Sequence, residues 1–117
     1  MTLLSPAGQS LALNAVHGAI THLALHGPTT PGTTGAAEAS TARQPVGSTP
    51  FTTSSAGTPV TNNNAYTWSV SGGVAVQWVG GWIGLTTGTF EFAWAMGAAV
   101  TAATVTAAAN ALSATAS

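Results

Sequence analysis

The 117-residue chain contains no cysteine, so neither a disulfide framework nor thiolate chemistry can be built from it, and its redox compartment is not written in its composition. It also lacks lysine and aspartate. The charged side chains are Glu38, Arg43 and Glu91, 3% of all residues, for a net charge of -1. One basic residue excludes nucleic-acid binding, because neutralising phosphates takes several Lys or Arg per site. Acid-base or hydrolytic catalysis needs paired carboxylates or an activated nucleophile, and the two glutamates lie far apart in sequence. A Ser-His-Glu set is arithmetically possible, but no Gly-x-Ser-x-Gly elbow occurs, and no enzymatic activity is expected.

Long apolar runs are missing too. Leu3 and Leu4 are followed at once by Ser5, Pro6 and Gly8 with no basic stretch before them, so no export signal is expected. Residues 93–112 are uncharged but consist mostly of Ala and Thr with Gly97 and Asn110. That is weaker than the ~20 strongly apolar residues of a spanning helix, and no membrane insertion is expected.

What the chain does have is 45% apolar residues and four tryptophans, which sets it apart from disordered chains of equally low charge. Its length suits one domain, residues 1–117, burying about 60–70% of the unfolded surface. Ser5-Pro6 reads as an N-cap followed by proline in the first turn. With Leu4, Ala7, Leu11 and Ala15 at helical spacing, it predicts a helix over 6–17. From Ile20 the period shortens to two: Leu23 and Leu25 alternate with His22, Ala24 and His26 until Gly27-Pro28 ends the strand. Residues 27–59 are rich in Pro, Gly, Thr, Ser and Ala and form a long loop, with a possible short strand only within 43–51. Glu38 and Arg43 fall in this loop and are expected to pair, fixing it in one conformation.

Beyond Asn62-Asn63-Asn64, the run 65–70 places Tyr66, Trp68 and Val70 on one side of a strand and Thr67 and Ser69 on the other. Gly72-Gly73 turns the chain into a strand from Val74 onward, in which Gly80-Gly81 marks a possible bulge before Trp82. Gly88 turns it again, and 89–96 alternates with Phe90, Phe92 and Trp94 on one face. The tail is ambiguous, its alanines favouring helix and its Val100, Thr104, Val105 and Thr106 favouring strand. Strands at this spacing predict a mainly β domain, a jelly-roll-like antiparallel β-sandwich with a short N-terminal helix and a long ordered loop.

His17, His22 and His26 are the candidate metal ligands. His22 and His26 share a strand face but stand roughly 13 Å apart along it, and no Cys or Asp completes a set, so no metal or other cofactor is expected. Tyr66, Trp68, Trp78, Trp82, Phe90, Phe92 and Trp94 recur at strand period and serve best as core, with subunit contact and carbohydrate stacking as lesser roles.

Three segments carry a resemblance: Thr21-His22-Leu23-Ala24-Leu25-His26, then 31–38 (PGTTGAAE), then Ala42-Arg43-Gln44-Pro45-Val46. They resemble a family of small tail-fibre or minor tail proteins of bacteriophages, common in phages of actinobacteria, with patterns like T-H-x-x-L-H-T, P-G-T-T-G-A-N-E and Y-A-R-Q. The likeness continues through Thr61-Asn62, Val79-Gly80-Gly81-Trp82, Thr87-Gly88-Thr89-Phe90 and the tail 104–113, where Asn110 stands in place of a glycine. The chain departs from the pattern at Thr41, where the family tends to have Tyr. The resemblance implies a β-sandwich-like virion structural protein and a strand rather than a helix in the tail. It further implies self-association, with a trimer favoured, contact with other virion proteins, and a place in the tail or, alternatively, on the capsid surface. Leu11, His22, His26, Trp82 and Trp94 are the candidate interface, and a host-glycan binding module using exposed Trp82 or Trp94 ranks third, behind a tail component and capsid decoration.

Overall fold

The computed structural model of the chain describes residues 5–54, 58–71 and 73–114. Leu3, Leu4 and Gly72, invoked above, lie outside the described residues. Helix α1 spans Pro6–Ala19, two residues beyond the expected end. Ser5 caps it by accepting from the Gly8 amide at 3.1 Å, and Pro6 occupies the first turn, where a missing N–H costs nothing.

The face of α1 that packs inward is not the expected one. Ala7, Leu11 and Ala15 are exposed, whereas Ser10 and His17 are buried and Leu13 packs against the core. The helix is anchored by polar bonds to the long loop rather than by an aliphatic stripe. Asn14 Nδ2 donates to the Ser54 carbonyl at 3.1 Å, the Ser54 amide donates to Asn14 Oδ1 at 2.7 Å, and Ser54 Oγ donates to Ser10 Oγ at 3.4 Å. Rotating Leu11 inward would break all three.

Eight strands follow among the described residues: β1 His22–His26, β2 Gln44–Pro45, β3 Val60–Thr61, β4 Tyr66–Ser69, β5 Ala75–Ile83, β6 Thr89–Thr101, β7 Thr104–Ala107 and β8 Ser113–Ala114. All pairings are antiparallel. One sheet has the order β2-β1-β5-β6, and the ladders β4-β7 and β3-β8 complete a β-sandwich. The tail is strand, because Val105 fills the core while Thr104 and Thr106 project outward opposite Ser69 and Thr67, and this pairing overrides the helix propensity of the alanines. Asn110 takes the left-handed conformation, φ 68°, that the turn before β8 requires.

Leu23, Leu25, Val76, Val79 and Trp94 of the large sheet meet Tyr66, Trp68, Val70 and Val105 in one core cluster. Trp68 is 1% exposed, and its indole N–H donates to the Leu23 carbonyl at 2.9 Å, tying the two layers together. Asn62 fixes the tail: its amide group donates to Asn64 and Ala108 carbonyls at 2.8 and 2.9 Å, and its Oδ1 accepts from the Leu112 amide at 2.8 Å.

The β5–β6 ladder carries the expected bulge, and its effect was not legible in the alternation. Gly81 pairs with Phe92 and Trp82 with Phe90, so Glu91 is an extra residue on β6. One inserted residue reverses the facing of everything beyond it. Phe92 and Trp94 therefore lie against His17 beneath α1, while Phe90 lies with Trp82 and His26 on the opposite face, correcting the expectation that all three aromatics share a side.

Candidate functional site

Two buried histidines organise the two faces of the large sheet. On the outer face, β1 delivers His26, the Glu91 bulge delivers Phe90, and β5 delivers Trp82. The loop after β1 closes over them. The His26 ring donates from Nδ1 to the Ala36 carbonyl at 2.8 Å, so its Nε2 is the unprotonated nitrogen and accepts from the Trp82 indole N–H at 3.3 Å. The two rings are nearly parallel at 6.1 Å, and Phe90 meets the imidazole edge-on at 5.8 Å.

Arg43 seals this arrangement. Its guanidinium lies 3.7 Å from the centre of the Trp82 ring, a cation–π contact. It donates from Nε and Nη2 to the two carboxylate oxygens of Glu38 at 2.9 and 3.0 Å, and from Nη1 to the carbonyls of Gly84 and Thr87 at 3.0 and 2.9 Å. The Glu38–Arg43 pair expected from the sequence is thus present, with the arginine side chain 5% exposed and the glutamate 29%. Beside it a hollow of about 340 Å³ is lined by Glu38, Thr41, Ala42, Arg43, Leu85 and Thr86.

Two of the motif glycines, Gly80 and Gly35, are explained by this packing. A Cβ on Gly80 would run into the His26 ring, and one on Gly35, whose φ is 76°, would run into Trp82 and Phe90. The segments 21–26, 31–38, 42–46, 79–82 and 87–90 therefore converge on one cluster in which each supplies a contact. Charge and hydrogen-bonding capacity are used up internally, which makes this a structural latch holding the long loop on the sheet.

On the inner face His17 is 2% exposed. Its Nδ1–H donates to the Leu13 carbonyl at 2.8 Å, and Phe51, Phe92 and Trp94 surround the ring at 5.0, 5.1 and 5.4 Å. His17 Nε2 and Trp94 Nε1 are buried without a hydrogen-bond partner among the described residues. Burial lowers the pKa of both His17 and His26 from the usual 6.5, opposed by their backbone hydrogen bonds and, at His26, by Glu38. Burial likewise raises the Tyr66 phenol, which donates to the Val46 carbonyl at 2.7 Å.

Of the candidate interface residues, only Leu11, at 72% exposure, is freely presented. His22 is half-buried and bonded to Thr21 Oγ1 at 2.9 Å. His26, Trp82 and Trp94 are interior, which takes them out of the candidate interface and leaves the two tryptophans in the core role also expected of them: alternation reported their side of the sheet but not the loop and helix that cover each side. Trp82 has His26 on one flank and Arg43 over its ring, so it offers no open face to a sugar. His17 and His26 attach to different aromatic groups, and among the described residues no three His, Cys, Asp or Glu side chains come together as a metal set. The roles of Asn62 and Ser54 were missed; the Asn62-Asn63-Asn64 run signalled a turn but not a buried hub.

Comparison with family models, with curated proteins and with solved structures finds no match to this chain.

Proposed function

We propose that the chain is a non-enzymatic structural component of a bacteriophage particle, minor-tail or tail-fibre-like, that associates with copies of itself and with neighbouring virion proteins through uncharged surface. The observation that carries this reading is the distribution of charge. Arg43 and Glu38 are consumed in the latch, leaving Glu91 as the one remaining charged side chain. Meanwhile Leu11 and Leu85 stand 72% and 55% exposed, joined by Val74, Val100 and Ile83 at 36–38%. Such a surface gains little from charge in water and gains by being covered. The motif resemblance points the same way, because the shared residues build the scaffold.

The test is labelling of purified phage particles with an antibody to this chain. Label on tails supports the reading, label on heads moves the protein to capsid decoration, and particles that assemble fully without the chain overturn it.

A further inference from the structure

We propose that His26 is a proton-sensitive latch: protonation of its Nε2 uncouples Trp82 and releases the loop of residues 27–43 from the sheet while the sandwich core stays folded. The hydrogen bonds determine the chemistry. Because Nδ1–H already donates to Ala36, the incoming proton must go to Nε2, where Trp82 directs its own indole N–H. Two donors would then face each other in a tightly packed space, since Gly80 lies against the ring and Phe90 closes its edge.

The ring cannot turn to escape, because rotation would break the bond to Ala36. Trp82 cannot yield alone either, with Arg43 over its ring and Gly35 close against it. The groups facing His26 are Glu38 and Arg43 from the loop and Gly80, Trp82 and Phe90 from β5 and β6; of the charged pair, Glu38 favours the imidazolium and Arg43 opposes it. Glu38 is held by both its oxygens on Arg43 and is not free to swing to the imidazolium. Relief therefore comes by separating the loop from β5, which breaks the Ala36 and Arg43 contacts together.

The core does not depend on these contacts. Leu23, Leu25, Trp68 and Val79 lie on the other side of β1 and β5, and the loop reaches the β4–β7 ladder at its end, where the Ser69 carbonyl accepts from the Thr41 amide and hydroxyl at 2.9 and 3.2 Å. A pH change therefore acts on one face of the sheet before the other.

The experiment is an amide and indole NMR titration of the intact chain from about pH 7.5 to about 4.5. The Trp82 indole N–H and the amides of Gly27 and Ala39, which bond Ala37 and Leu25, should change with one midpoint below the usual histidine value, while the amides of 66–68 and 105–107, away from the Thr41 contact at Ser69, hold their positions. In H26Q, which stays neutral, that transition should vanish, and in H17Q it should persist. The W82F variant, lacking the indole donor, should raise the His26 midpoint. Loop and core amides that move together, or a transition that survives in H26Q, would overturn the proposal. The wild-type titration decides it even if a variant fails to fold.

Discussion

Arg43 makes four hydrogen bonds and one ring contact from a nearly buried position, so its removal leaves Glu38 and two carbonyls without partners at once. Losing one member of a buried pair costs about 3–5 kcal/mol, and the partial exposure of Glu38 brings the expectation for Arg43→Ala to about 2–4 kcal/mol in urea unfolding. Arg43→Lys keeps the charge but loses the planar fork, and should recover less than half of that loss. The glycines allow a sharper comparison. Gly32 and Gly35 both have positive φ, but a Cβ meets nothing at Gly32 and strikes Trp82 at Gly35. Gly32→Ala should cost about 1 kcal/mol, the backbone term alone, and Gly35→Ala at least about twice that. Equal losses would mean that the loop is not pressed against Trp82.

At the scale of elements, the helix start, the alternation of β4, the position of the Gly80-Gly81 irregularity and the Glu38–Arg43 pair were all legible, because each is set by residues close in sequence. What escaped was whatever depended on contacts made later. The inward face of α1 could not be read from its aliphatic residues, since Ser10, Asn14 and His17 find partners in Ser54, Phe51 and Trp94, more than thirty residues away. The bulge could be suspected from two glycines on β5, yet its extra residue is on β6, and only the pairing reveals that Phe90 changes sides. Deleting Glu91 should restore a regular ladder in which Phe90, paired with Trp82 as before, stays on the His26 face. The expected change is within about 1 kcal/mol by urea unfolding, whereas Phe90→Ala, which removes the ring beside His26 and Trp82, should cost about 2–4 kcal/mol. Leu11→Ser, by contrast, changes an exposed position and should leave chain stability within about 0.5 kcal/mol.

For the whole molecule, pH and association are the two informative variables. His17 and His26 have folded pKa values below their unfolded value of 6.5, so the unfolded chain binds more protons wherever the two differ. Stability is therefore fully present above about pH 6.5 and falls as the pH drops through that value toward the lower folded pKa values. Thermal unfolding at about pH 7.5 and about pH 5 should show the lower melting temperature in acid, and the double variant H17F/H26Q should flatten the difference. His17→Phe alone should be close to neutral at pH 7, because the ring's place among Phe51, Phe92 and Trp94 suits an aromatic and Nε2 forms no bond there.

The structural role proposed above has this nearly uncharged sandwich covered by copies of itself, a state that sedimentation equilibrium of the purified chain at micromolar concentration reads out. The expected result is a discrete homo-oligomer, a trimer on the family resemblance, that Leu11→Ser or Leu85→Ser weakens without unfolding the chain. A stable monomer across that range, unchanged by either substitution, would contradict it.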